Sequence, residues 1–185
     1  LGLLALLLLH DTRRTTRVGA DGELILLEEQ DRSQWDQEKK REGLAVLDRA
    51  LAMHQVGPYQ VQAAISALHV QAERASDTDW TQIASLYGVL MRMVSSPVIA
   101  LNRAVAIAMA DGPLRGLSLL DQPELARDLH SYYLFHASRA DLLRRLGRMQ
   151  EASLAYTQAL NLCQNEKEQA FLRRRLAEVE QELYS

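Results

Sequence analysis

Residues 140–160, ADLLRRLGRMQEASLAYTQAL, carry the clearest architectural information in the chain. Small side chains at Ala140, Ala152 and Ala159 allow helix backbones to approach closely, and Tyr156 supplies the bulk that fills the space between helices. Gly147 can end the first helix by taking a left-handed conformation that other residues adopt at a cost. The steps along the chain are five residues from Gly147 to Ala152, four to Tyr156 and three to Ala159. This is the pattern of two antiparallel helices built to stack on others. It points to a scaffold rather than a catalyst.

The order Ala140, Gly147, Ala152, Tyr156, Ala159 resembles the tetratricopeptide repeat, a helix-turn-helix unit of about 34 residues. Working outward, helices are predicted over 129–146 and 149–161, and a second, degenerate hairpin over 97–110 and 114–120. In that hairpin Pro97 stands near a first helical position, ALNRAVAIAMA places small residues on one stripe, and Asp111-Gly112-Pro113 forms the turn. A last helix, 166–183, has Phe171, Leu172, Leu176 and Val179 apolar and Arg173, Arg174 and Arg175 outward, which suits the end of a stack facing water.

Before this region, Gly57-Pro58 breaks the chain. The helix 59–71 carries Ala63, Ala64 and Ala67, and the next, 80–93, is capped by Asp77 or Asp79. A helix from the neighbourhood of Asp31–Trp35 to His54 is expected to bury Leu44, Leu47 and Leu51. The segment 24–27 is extended or a short helical turn after a turn at Asp21-Gly22. Residues 1–10, LGLLALLLLH, are apolar nearly all round and are expected to be buried against several neighbours. They lack a basic leader and a cleavage pattern, and the run is too short to span a bilayer. Opening at leucine inside a helix, the chain reads as the tail of a longer protein.

The expected fold is therefore all-α: antiparallel helical hairpins with a tetratricopeptide-like right-handed solenoid in the C-terminal half. Residues 1–56 form a helical subdomain with an irregular Arg/Asp-rich connection, and 57–185 form the repeat region with its capping helix. The chain is long enough, at 185 residues, to bury a substantial core. A net charge of -3 gives no global drive toward phosphate backbones, so this piece is not expected to bind nucleic acid directly. The single cysteine, Cys163, excludes an internal disulfide and a cysteine-based zinc site, and reads as packing.

No phosphate loop, dinucleotide fingerprint, metalloprotease helix or nucleophile turn occurs in the sequence. None of the five histidines, His10, His54, His69, His130 and His136, has a partner at helical i,i+4 spacing, so neither a metal site nor a cofactor is expected. The polar set His10, Asp11, Arg13, Arg14, Gln30, Asp31, Arg32 and Trp35 lies between two strongly apolar regions. Charges flanking buried helices must be paired or solvated. Ion pairing with Glu28, Glu29 and Asp31 is the simplest expectation for Arg13, Arg14 and Arg17. An Arg-Asp lattice with Trp35 packed on a guanidinium is the structural reading of the whole set, and a recognition surface is the functional one. Asn102, Arg103, Arg139 and Asp141 are candidate groove residues.

LLALLLLHDTRRTTR, GELILLEEQDRSQWD, GPYQVQAAISALH, DTDWTQIASLYGVLMRMVSSPVIALNRAVAIAMADGP and YYLFHASRADLLRRLGRMQEA occur in this order over nearly the whole chain. Together they resemble the C-terminal region of bacterial extracytoplasmic-function RNA polymerase sigma factors that carry a tetratricopeptide-like extension. The resemblance implies a cytoplasmic bacterial protein whose preceding sigma regions bind core polymerase and promoter DNA. This region would then be a non-catalytic interaction module contacting those sigma regions, polymerase or a regulatory protein. A generic peptide-binding adaptor, and a small-ligand sensor or enzyme, are the competing classes. A homodimer through the apolar first helix is a further expectation for this piece.

Overall fold

A computed structural model describes residues 1–19 and 22–184. Asp21, half of the turn expected at Asp21-Gly22, lies outside the described residues, while Gly22 takes a positive φ of 79°. The described residues are all-helical, with α1 (Gly2–Asp11), α2 (Gln37–Leu51), α3 (Pro58–Gln71), α4 (Trp80–Met93), α5 (Pro97–Asp111), α6 (Pro113–Leu120), α7 (Pro123–Asp128), α8 (Tyr133–Arg145), α9 (Met149–Leu162) and α10 (Glu166–Leu183). Adjacent helices pack in pairs, as in an all-α helical-repeat fold. The chain divides into two compact units, Leu1–Ser95 and Ser96–Ser185.

In the first unit, α1 lies against both α2 and α3. It buries a narrow stripe, Gly2, Ala5 and Leu9, and leaves Leu3, Leu4 and Leu7 45%, 47% and 59% exposed. The expectation that this helix is covered on all sides is thus corrected, because its two neighbours occupy one side only. Gly43 sets the approach of α2, since a Cβ there would stand 2.9 Å from the Leu9 side chain. That approach turns Gly43, Val46, Leu47 and Ala50 inward and leaves the expected core residue Leu51 exposed and Leu44 half-buried.

The start of α2 also differs from the expectation. Asp31 caps a separate 3-10 turn, Arg32–Gln34, and Asp36 caps α2 by accepting from the amides of Glu38 and Lys39 at 3.1 and 3.0 Å. Each aspartate satisfies donors that a helix start leaves open, and two such residues five apart give two starts. The segment after Arg17 forms an isolated antiparallel bridge, Val18 to Leu24, with no strand among the described residues.

The packing of α3 on α1 and α2 places residues 57–95 with the N-terminal unit, so the division falls at 95/96 rather than at 56/57. Gly57-Pro58 is a break in helix but not between compact units. Asp79 rather than Asp77 caps α4, accepting from the Gln82 amide at 2.8 Å.

The second unit holds the hairpins. In α8 and α9 the turn is closed by two reversed bonds, Arg148 amide to Leu143 carbonyl at 2.9 Å and Gly147 amide to Arg144 carbonyl at 3.0 Å, with Gly147 at φ 72°. This glycine-terminated geometry satisfies carbonyls that the helix end would leave unpaired. Ala140, Ala152, Tyr156 and Ala159 are all buried in one core with Leu101, Leu117, Leu120, Phe135 and Leu143. Burial also pushes the Tyr156 hydroxyl up to about 12. In the α5–α6 hairpin Gly116 stands against α5, where an added Cβ would lie 2.7 Å from the Ala104 carbonyl oxygen.

The continuous helix expected over 129–146 is instead a turn followed by α8, preceded by the short α7. His130 Nδ1 meets the Arg127 carbonyl at 2.8 Å and His136 Nε2 meets the His130 carbonyl at 2.7 Å, so the two histidines close this turn. Cys163 is buried at the end of α9, and Gln169 Nε2 donates to its carbonyl at 2.6 Å.

Candidate functional site

The polar set between the apolar regions folds into one corner of the first unit, where the C-terminal ends of α1 and α3 meet the 3-10 turn Arg32–Gln34. Helix C-termini expose unpaired carbonyls carrying partial negative charge, which guanidinium donors satisfy. Arg17 Nη2 donates to the His10 carbonyl at 2.7 Å, closing α1. Arg32 Nη1 donates to the carbonyls of His69 and Ala72 at 2.6 and 2.9 Å, closing α3 across a separation of 37 residues. The Arg32 guanidinium also lies 4.9 Å from the centre of the Trp35 ring, and Trp35 is only 3% exposed. Trp35 is therefore both a core residue and the floor under Arg32.

Gln30 is buried and bonds at both ends of its amide, accepting from Thr16 Oγ1 at 3.2 Å and donating to the Ile25 carbonyl at 3.1 Å. It pins the irregular connection. Asp31 accepts from the Ser33 amide and hydroxyl and from Gln34 Nε2, so its carboxylate serves its own turn and is held below the usual range by those bonds. Asp11 pairs with Arg14 at 2.9 Å and with Lys39 at 2.5 Å, and the Lys39 hydrogen bond holds its carboxyl down. Thus Arg14 takes Asp11, and Arg17 and Arg32 take helix carbonyls. Among the described residues, the Arg13 guanidinium takes no hydrogen bond or ion pair, while the Arg13 carbonyl accepts from Thr16 Oγ1 at 3.2 Å.

Two further residues join this corner without a signal in the sequence. His69 is one of five scattered histidines, and Ser66 belongs to no sequence motif. On α3, Ser66 Oγ lies 3.0 Å from His10 Nε2, and the His69 ring packs edge-on to Trp80 at 5.2 Å. Burial first, then the charges of Arg13, Arg32 and His10, push His69 down to about 4.

The second candidate set is more dispersed. Arg139 Nε donates to Asp121 at 2.7 Å, and Asp141 pairs with Arg144 at 2.7 Å and Arg145 at 3.6 Å. Asn102 is exposed on α5, and Arg103 beside it is half-buried with an unpartnered Nε. Among the described residues no hydrogen bond or ion pair joins these two to Arg139 or Asp141. On α10, Arg174 and Arg175 lie 5.6 and 5.4 Å from the Phe171 ring, and Arg175 pairs with Glu178 at 3.0 Å. Among the described residues no group of three or more His, Cys, Asp or Glu is placed to hold a metal ion, and no helix is long and apolar enough to cross a membrane.

The fold defines an all-helical protein of packed hairpins, with an arginine-rich corner in one unit and a glycine-terminated repeat in the other. Residues 1–51 match a family of unknown function, DUF6596, and the match ends where α2 ends. Over 176 residues the chain is 44% identical to an uncharacterized protein of Rhizobium meliloti (strain 1021), an alignment covering 95% of this chain and 41% of that protein. The chain therefore spans about two fifths of the length of the curated relative it matches. No solved structure matches.

Proposed function

We propose that this chain is a non-catalytic interaction region of a bacterial extracytoplasmic-function RNA polymerase sigma factor, supporting or modulating transcription initiation by contacting the sigma regions of its parent protein. The ordered sequence resemblance supplies the sigma-factor context. The exposed leucine face of α1 is the observation that carries the interaction role. Leu3, Leu4 and Leu7 follow one another within two turns of helix, and a contiguous apolar patch is where a partner's apolar surface gains free energy on docking. Core polymerase and a separate regulatory protein are the other partners of the same class.

The test is a titration of this chain with the separately expressed remainder of its parent protein, followed by tryptophan fluorescence and calorimetry. Saturable one-to-one binding, weakened at least tenfold by Leu3→Glu with Leu7→Glu, is expected. If the sigma portion does not bind at high micromolar concentration, the intramolecular contact is excluded and core polymerase becomes the partner to assay.

A further inference from the structure

The corner described above collects hydrogen-bond donors faster than it supplies acceptors. Nε of Arg17, Nε of Arg32, Nε1 of Trp35 and Nδ1 of His69 are all buried without a hydrogen-bond partner among the described residues. The first three are N–H donors, and the fourth is a donor in one tautomer of the ring. A buried polar group left unpaired costs about 1–3 kcal/mol, more when it belongs to a charged side chain. Four of them in one corner mark a missing acceptor. Carbonyls at the helix ends account for Nη2 of Arg17 and Nη1 of Arg32, and the Thr78 hydroxyl accepts from Arg32 Nη2 at 3.4 Å. Nothing accounts for Arg13, a half-buried guanidinium with no acid partner among the described residues.

The acids that border the corner are already engaged. Asp11 serves Arg14 and Lys39, Asp31 caps its own turn, and Asp77, the carboxylate felt by Arg32, is held by Arg74 at 2.9 Å. Burial and the charges of Arg17 and Arg32 push Arg13 down to about 10, as expected for a cation set among cations. A cation so placed persists at a cost unless an anion neutralises it.

We propose that Arg13, with the free donors of Arg17, Arg32, Trp35 and His69, forms a binding site for a phosphate-class oxyanion. Such an anion brings several acceptor oxygens pointing in different directions, which suits donors contributed by separate elements, and its charge answers the surplus on Arg13. The same chemistry is offered by free phosphate and by a phosphoryl group on a peptide. The site stands without the sigma-factor reading, and its test needs this chain alone.

The experiment titrates inorganic phosphate into this chain at constant ionic strength, with chloride making up the difference, and follows tryptophan fluorescence and the urea midpoint. Trp35 carries one of the donors and Trp80 packs on His69, so occupancy alters the surroundings of both tryptophans. A saturable change is expected. Arg13→Gln weakens it at least tenfold, whereas Arg14→Gln, at an exposed residue paired with Asp11, changes it less than twofold. Phosphate-free Arg13→Gln is expected to have a urea midpoint at least equal to that of the parent, because it removes an uncompensated charge. A phosphoserine pentapeptide binding tenfold tighter than phosphate assigns the anion to a phosphorylated partner, and equal affinity assigns it to a free ligand. The proposal is overturned if phosphate acts no differently from chloride at matched ionic strength. It is also overturned if Arg13→Gln lowers the midpoint of the free chain and leaves the phosphate response intact.

Discussion

Gly116→Ala is the most informative single change in the second unit. A methyl at this position would lie 2.7 Å from the Ala104 carbonyl oxygen and 3.0 Å from the Ala108 Cα, and nearer still to the Ala108 Cβ. Carbon contacts are comfortable at about 3.5 Å or more, so α5 and α6 must part by about 1 Å. Two of the three obstructing atoms are backbone, which no rotamer change can move. Overpacking of this kind costs about 1–3 kcal/mol, and the rigid obstruction puts this case at the upper end. Alanine returns about 1 kcal/mol through its better helix propensity. The net expectation is a loss of about 2 kcal/mol, or roughly 4–8 °C in the thermal midpoint of a chain this size. Urea unfolding followed by far-UV circular dichroism measures it. Adding Ala108→Gly removes the nearest obstruction but not the Ala104 carbonyl, so the double variant recovers part of the loss beyond additivity. A Gly116→Ala chain as stable as the parent, or more so, would refute the close interlock of α5 and α6.

Three other outcomes follow from the geometry. His69 refuses a proton down to about pH 4 when folded but accepts one near pH 6.5 when unfolded, so stability falls as pH falls through that window. Between pH 7.5 and 5 the loss is about 2 kcal/mol, with His10, also lowered by burial, adding in the same direction; His69→Gln flattens the slope measured by urea unfolding at the two pH values. Asp79→Ala removes the cap of α4 and costs about 1 kcal/mol in the urea midpoint, while Asp77→Ala leaves the cap intact. Cys163, buried against α9 and α10, is expected to resist an exposed-thiol reagent in the native chain and to react stoichiometrically in denaturant, which mass spectrometry reads directly.

The candidate site was legible in the sequence only as an inventory. Arg13, Arg14, Asp31, Arg32 and Trp35 drew attention because charge and a large aromatic ring interrupted apolar sequence. The stacking of Arg32 on Trp35 lies within three residues, short enough to anticipate. The roles of the arginines were not, because Arg32 closes a helix 37 residues away, Asp31 serves its own turn, and Arg14 pairs with Asp11 rather than with the expected Glu28, Glu29 or Asp31. His69 carried no signal, since nothing in its own neighbourhood places it beside Arg13.

The division between the two sources of information follows the range of the forces involved. The positions of α3 to α6, α9 and α10, the cap at Asp79, the prolines that open α3, α5 and α6, and the Gly147 turn were written locally, because each depends on dihedral preference and hydrogen bonds within a few residues. Which stripe of each helix is buried was not local. α1 is apolar enough to bury any face, and α2 offers both Leu51 and Val46, yet the approach permitted at Gly43 selects one stripe of each. The boundary at 95/96 and the gathering of Arg13, Arg17, Arg32 and His69 arise in the same way, from packing between elements distant in sequence, where steric fit and electrostatic proximity act without regard to chain order.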